Sequence, residues 1–238
     1  MSCAPPGRWG TVVPVSDSST NGFSMSGFSV KPVLTGDRTV LRPFTAADAD
    51  GIWEIVQDPE VVRFTFEPST ELTPEGLRSW YGSRADAPDR LDLAVTDPAT
   101  GELLGEVVLY EWDPAARSCT FRTLIGPRGR GRGIGTEATR LIVGHGFEQL
   151  GLHRIELEVY GNNHRALRVY EKAGFVVEGV RREASLRDGE WVDAILMGLL
   201  DREWTALNDP GSGSGRRPGD GPDSDPGDGL NALDSTAR

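Results

Sequence analysis

Ile125-Gly126-Pro127-Arg128-Gly129-Arg130-Gly131-Arg132-Gly133-Ile134-Gly135-Thr136 joins a strand-like segment to a helix-like one. Glycine lets backbone N–H groups come close to a ligand, because no Cβ stands in the way. A helix N-terminus adds partial positive charge and N–H groups without intrahelical partners. The arginines add full charges on forked donors. The combination suits a diphosphate. A P-loop is excluded, since no Gly-Lys-Ser/Thr closes the turn. A dinucleotide site fits more closely. Gly133-Ile134-Gly135-Thr136-Glu137-Ala138 has the loose G-x-G-x-x-A spacing, and Glu156 follows ~20 residues on, where a ribose contact belongs. The segment in front argues against it. Rossmann turns follow a buried, almost wholly apolar strand, whereas Cys119-Thr120-Phe121-Arg122-Thr123-Leu124-Ile125 carries an arginine and two threonines and suits a half-exposed strand of a mixed or antiparallel sheet.

Upstream of the turn, residues 91–96 and 103–112 read as strands around Asp97-Pro98-Ala99-Thr100-Gly101, and Asp113-Pro114 leads into the strand 119–125, an antiparallel meander. Downstream, Ala138, Leu141 and Ile142 have helical spacing and Gly151 is the stop. Residues 155–160 alternate strictly, the next helix runs from about Asn163 to Gly174, and 175–186 with 191–200 form a hairpin about Asp188-Gly189. Nearer the N-terminus, 33–44 reads as one strand. Thr45 looks like an N-cap with Asp48 three residues on, and Asp58-Pro59 ends that helix. Thr73-Pro74 starts a second helix, with Leu77, Trp80 and Tyr81 as its buried face. Strands, then helices, then strands, with few βαβ signals, predict an α+β fold.

The ends are different in kind. Residues 1–29 are rich in Ser, Gly and Pro, and 208–238 in Gly, Asp, Pro and Ser, so neither buries enough surface to offset its ordering entropy. They read as a disordered extension and tail around a single domain at 30–207, roughly 175 residues, enough for one core. Of 238 residues, 25 are Lys or Arg and 36 Asp or Glu, a net charge of −11, which argues against a general nucleic-acid binder. The arginines at 128–132 run against that sign and predict either an anionic ligand or a solvated basic turn. Cys3 and Cys119 make no disulfide framework and read as free thiols of a reducing, cytoplasmic compartment. No stretch approaches ~18 consecutive apolar residues, and no signal-peptide pattern opens the chain. No Cys/His spacing suggests a metal.

A second block lies downstream: Asn163-His164-Arg165-Ala166-Leu167-Arg168-Val169-Tyr170-Glu171-Lys172-Ala173-Gly174-Phe175. Arg130-x-x-Gly133-x-Gly135, a strand, then Asn163-x-x-Ala166-x-x-x-Tyr170-x-Lys172-x-Gly174-Phe175 resembles the GNAT superfamily of acyl-CoA-dependent N-acetyltransferases. Leu34-Thr35-Gly36-Asp37-Arg38-Thr39-Val40-Leu41-Arg42-Pro43 and Arg187-Asp188-Gly189-Glu190-Trp191-Val192-Asp193 resemble its RimJ/RimL branch, which includes ribosomal-protein N-terminal acetyltransferases. The resemblance covers about 33–204. It implies a mixed, mostly antiparallel sheet flanked by helices, acetyl-CoA as co-substrate, and a primary amine as acceptor. That acceptor is a protein N-terminus or, in other members, a small amine or an aminoglycoside-type antibiotic. It leaves a monomer and a homodimer both open.

The resemblance also assigns roles. Arg130, Gly131, Arg132, Gly133, Ile134, Gly135 and Thr136 surround the CoA diphosphate; Leu124 and Ile125 pair their backbone with the pantetheine arm, or are plain core strand. Asn163 contacts the cofactor arm or caps its helix, with Asn162 as the other candidate cap. Tyr170 protonates the departing thiolate; the alternative is a packed aromatic on the face of Ala166 and Ala173. Glu158, with Glu156 on the same face, is the candidate base or a solvated carboxylate; Glu106 is a rival, and a water chain needs neither. Arg165 and Arg168 either reach the CoA 3′-phosphate or are solvated helix charges. Glu60, Glu67 and Glu71 either attract a cationic acceptor or form a solvated loop. His145 reads as a packed core histidine. The other class of function is a CoA-binding interaction module without catalysis.

Overall fold

Strict alternation builds the sheet, and helical spacing covers it. A computed structural model of the chain describes residues 27–65 and 72–209. Its strands are β1 (Leu34–Thr35), β2 (Val40–Pro43), β3 (Leu91–Thr96), β4 (Leu103–Asp113), β5 (Ser118–Ile125), β6 (Arg154–Tyr160), β7 (Val176–Arg187) and β8 (Glu190–Leu200). They lie side by side in the order β1-β2-β3-β4-β5-β6-β8-β7 as an eight-stranded sheet. Neighbours are antiparallel except β5 and β6, which run parallel. A parallel pair requires a long crossover, and α4 (Ile134–Glu148) supplies it. The α+β architecture agrees with the sequence reading.

Helices α1 (Asp48–Ile55), α2 (Pro59–Thr65) and α3 (Pro74–Gly82) pack on one face of the sheet through Phe44, Ile52, Leu77, Tyr81, Ala94 and Leu124. The other face carries α4, α5 (His164–Ala173) and α6 (Asp201–Asn208), whose core includes Leu93, Leu109, Phe121, Ile142, Ile155 and Leu199. No helix among the described residues is long and apolar enough to cross a membrane.

The structure departs from the sequence reading in local detail. Residues 33–44 are two strands, because Gly36 N–H bonds to Thr39 O at 2.9 Å and folds the segment into a hairpin. The Glu137 side chain holds that turn by accepting from the N–H groups of Asp37 and Arg38 at 3.1 and 2.8 Å. Thr45 is not the N-cap of α1. Asp48 instead accepts from the Thr45 N–H and hydroxyl at 2.8 and 2.9 Å. Asp58-Pro59 does end one helix, but it also starts α2, where Asp58 accepts from Val61 N–H at 3.0 Å. Trp80 is 42% exposed rather than buried and carries the Arg84 guanidinium 3.8 Å above its ring. Phe28, within the expected N-terminal extension, is buried and stacks on Trp112 at 4.9 Å. The rest of that extension before residue 27, the tail beyond 209, Cys3, Glu67 and Glu71 lie outside the described residues.

One irregularity positions the site. β5 and β6 pair over Ser118↔Arg154, Cys119↔Ile155 and Thr120↔Glu156. Beyond that the register ends, and the strands part into a V. On its other side β5 is clamped to β4 all the way to Gly105↔Ile125. A Cβ on Gly105 would stand 2.0 Å from the Leu124 carbonyl oxygen, so only glycine allows the two strands to close there.

Candidate active site

The V between β5 and β6 opens into a cleft of about 1270 Å³. Leu124 and Ile125 form one wall, and past Thr120 their strand has no ladder to β6. Backbone groups on such an edge are ready partners for an extended ligand. The Leu124 side chain is buried among the α1–α3 residues, so strand packing and an open backbone edge occur at one residue.

At the wide end stands the N-terminus of α4. Its N-cap, Gly133, has φ 79° and offers no side-chain cap to the first-turn N–H groups; Gly131 is also left-handed at φ 73°. Gly131, Gly133, Gly135 and Thr136 line the cleft. Ile134 is 1% exposed and turns into the core, so its side chain anchors the helix start. This backbone arrangement can take up an anion.

The arginines of the turn are engaged within the chain. Arg128 pairs with Glu102 and Glu54. Arg130 donates to Asp58 at 2.9 Å, Glu60 at 3.2 Å and Ile125 O at 3.3 Å. Arg132 reaches Asp97 at 2.9 Å and Arg128 O at 3.2 Å, and its side chain is not part of the cleft wall. The cluster that opposed the net charge of the protein is therefore matched by carboxylates of the same chain. Glu60 also accepts from Arg165 at 2.8 Å, so one carboxylate of α2 spans both arms of the V. Arg168 and Lys172 also line the cleft and have no ion pair among the described residues.

Asn163 lines the cleft and is the N-cap of α5, its Oδ1 accepting from Ala166 N–H at 3.2 Å. Asn162 is not the cap; its Oδ1 is buried with no partner among the described residues. Tyr170 lines the cleft from α5, 6% exposed, with its ring edge-on to Phe121 at 6.0 Å and Phe175 at 6.1 Å. Its hydroxyl makes no hydrogen bond to another described residue, and burial pushes the phenol above its ordinary value. It therefore holds its proton across the physiological range.

Glu158 and Glu156 share the exposed face of β6 and line the cleft, but each is bound to an arginine: Glu158 to Arg181, and Glu156 to Arg154 at 3.0 Å. Glu106 is elsewhere. It is 1% exposed, behind the wall, accepting from Tyr81 Oη at 2.7 Å and Arg122 Nη2 at 2.8 Å. Cys119 is buried and burial pushes its thiol up, which leaves it poorly suited to act as a nucleophile. His145 Nε2 is buried without a partner among the described residues, and desolvation lowers its pKa.

Among the residues of the cleft not read as site residues from the sequence are Glu111, Thr120 and Arg122. Glu111 lines it with φ 54°, at a register shift of β4 that falls between Tyr110 and Asp113, and accepts from Thr120 Oγ1 at 2.9 Å. Thr120 and Arg122, the polar residues that made β5 read as half-exposed, face this cleft. The signal was the polar alternation itself, read as facing bulk water.

A family model described as an acetyltransferase (GNAT) domain matches residues 38–176. Spermidine N(1)-acetyltransferase of Escherichia coli K12 is 30% identical over 166 residues, covering 70% of this chain and 88% of that one. The L-amino acid N-acetyltransferase AaaT of Escherichia coli K12 is 29% identical over 163 residues, covering 66% and 95%. Among solved structures, the spermidine N-acetyltransferase of Vibrio cholerae in complex with CoA and spermine has a TM-score of 0.65 and 27% identity, covering 71% of this chain and 99% of that one.

Proposed function

Because the chain belongs to the GNAT acetyltransferases and is an N-acetyltransferase that uses acetyl-CoA, we propose that its acceptor is a small amine with a positively charged group held at Glu111. The observation that carries this reading is the pairing of the cleft carboxylates. Glu60, Glu156, Glu158 and Glu178 each hold an arginine, whereas Glu111 holds only the Thr120 hydroxyl among the described residues. A left-handed backbone at a non-glycine residue is costly, and here it accompanies a carboxylate on the cleft wall. The names of the two relatives, a spermidine and an amino-acid acetyltransferase, support a small acceptor.

When bound, acetyl-CoA supplies a thioester carbonyl for attack by the amine. In this reading the N–H groups of Gly131 to Thr136 hold the diphosphate, while Arg130 and Arg132 stay on their carboxylates. The open edge of Leu124 and Ile125 orients the pantetheine arm, and Asn163 stands next to it. Holding both reactants in line contributes roughly 7–11 kcal/mol when geometry is right. Tyr170 keeps a proton at Oη available to the departing thiolate. Glu158 accepts the amine proton directly or through water once Arg181 releases it.

A protein N-terminus, as in the RimJ/RimL branch, is the second reading. It is favoured by β7, whose Arg181, Ala184 and Ser185 line the cleft and whose Val180 and Leu186 are exposed among the described residues. CoA release from acetyl-CoA with spermidine, putrescine, amino acids and N-terminal peptides separates the two. Turnover restricted to peptides removes the small-amine reading.

A further inference from the structure

We propose that Arg122 binds a carboxylate on the acceptor, so that the amine acetylated here belongs to a zwitterionic molecule of amino-acid type. The inference rests on the small-amine reading above and names its substrate class.

Thr120 and Arg122 are alternate residues of β5 and share one face, about 7 Å apart along the strand. Thr120 carries Glu111 and Arg122 lines the same cleft, so an anion and a cation stand side by side on the acceptor wall.

Arg122 is fixed on its inner edge and open on its outer one. Nη2 donates to Glu106 Oε1 at 2.8 Å, and Glu106 is itself held by Tyr81 Oη at 2.7 Å. Nη1 has no acceptor among the described residues, and the side chain is 39% exposed in the lining of the cleft. Two other arginines of the cleft are bound more completely: Arg154 makes four hydrogen bonds to Glu156 and Glu178, and Arg130 makes three to Asp58, Glu60 and Ile125. A charged pair whose carboxylate is buried, with one tyrosine donor, is a poor way to stabilise a core, since apolar residues of similar volume do as well or better. The pair is explained if the guanidinium, held from behind by Glu106, is a preset fork presenting its free edge to a carboxylate, the group its planar geometry matches. Glu106 and Tyr81 are then positioning residues behind it. A purely cationic polyamine would find Glu111 favourable and Arg122 repulsive. A molecule with both signs suits the pair.

The test is CoA release by the full-length protein with matched acceptors: lysine against lysinamide and cadaverine, and ornithine against putrescine. Lysinamide keeps both amines and loses only the carboxylate charge. The expected result is a kcat/KM about 10- to 100-fold higher for lysine than for lysinamide, the size of one charge-assisted contact. Most of the difference should lie in KM. In Arg122→Gln the preference should fall to within about threefold. Because that change leaves Glu106 buried and unpaired, the double variant Glu106→Gln/Arg122→Gln provides a neutral pair in the same place and should show the same loss. Equal or better use of lysinamide and cadaverine by the wild type overturns the proposal, as does a preference that survives in the double variant. Turnover with peptides but with no small amine removes the parent reading as well, and so is distinguishable from failure of the Arg122 assignment.

Discussion

Replacing Tyr81 with Phe removes one oxygen from the network behind the acceptor wall. Tyr81 is buried and packs on Phe44 with ring centroids 4.6 Å apart, a contact that Phe preserves. What changes is Glu106. Its carboxylate, 1% exposed, has Tyr81 Oη on Oε2 and Arg122 Nη2 on Oε1, so the substitution strips Oε2 of that side-chain donor in a place water does not reach. Hydrogen bonds to charged groups contribute about 1.5–3 kcal/mol. For a domain of this size, 1 kcal/mol moves Tm by about 2–4 °C, giving an expected fall of about 3–12 °C. Thermal unfolding followed by circular dichroism reads that shift. Steady-state kinetics reads the second effect: a looser Arg122 should raise the acceptor KM severalfold and leave acetyl-CoA affinity within about twofold. A Tm within about 1 °C of wild type would refute the reasoning. It would mean that Glu106 is not a charged acceptor dependent on this donor, and Arg122 would lose its fixed inner edge.

Tyr170→Phe should lower kcat by about 100-fold or more, as loss of a general acid does, while the Kd for CoA measured by calorimetry stays within about twofold. Because burial raises the Tyr170 phenol, it stays protonated further into alkali than an ordinary tyrosine, so the pH–rate profile should show no fall attributable to it below pH ~9; such a fall, present in wild type and absent in the Phe variant, would count against the assignment. Glu60→Gln should free Arg165 and leave Arg130 on Asp58 as its one carboxylate, tightening CoA binding about threefold at low salt and less at high salt, while partly exposed pairs of this kind cost only about 0.2–1 kcal/mol of stability each when lost. On the fold itself, burial works to raise the Asp48 carboxyl, but the Arg42 fork and the Thr45 donors outweigh it and hold it below the usual carboxylate range. A lowered folded value gives stability that is present above the ordinary carboxylate pKa of ~3.9 and is lost as pH falls through the folded value. Urea unfolding should therefore show Asp48→Asn less stable by about 1–3 kcal/mol at pH 7 and losing less than wild type between pH 5 and 2.

Why the sheet was legible and the acceptor wall was not comes down to how far apart the interacting residues lie in the chain. Residues 155–160 alternate in the sequence and in their burial, and Thr73-Pro74 starts α3 through a local bond from Gly76 N–H to Thr73 Oγ1 at 3.1 Å. The Gly/Arg turn likewise leads into α4 where its glycines predict. Pairings between distant residues carry no such signature. Arg130 finds Asp58 and Glu60 some seventy residues away, and Arg132 finds Asp97, so a cluster that looked free for an anion is already counterbalanced. Glu106 and Arg122 lie sixteen residues apart on neighbouring strands, and Glu111 is turned into the cleft by a left-handed residue that its composition does not announce. The chain carries a net charge of −11, yet the charges that matter for binding are the few left after the internal pairing. Among the described residues of the cleft these are Glu111, the open edge of Arg122, Arg168 and Lys172. A charge count along the sequence weights all arginines alike. The structure separates those already held by a carboxylate from those still able to take a ligand, and acceptor specificity depends on the second group.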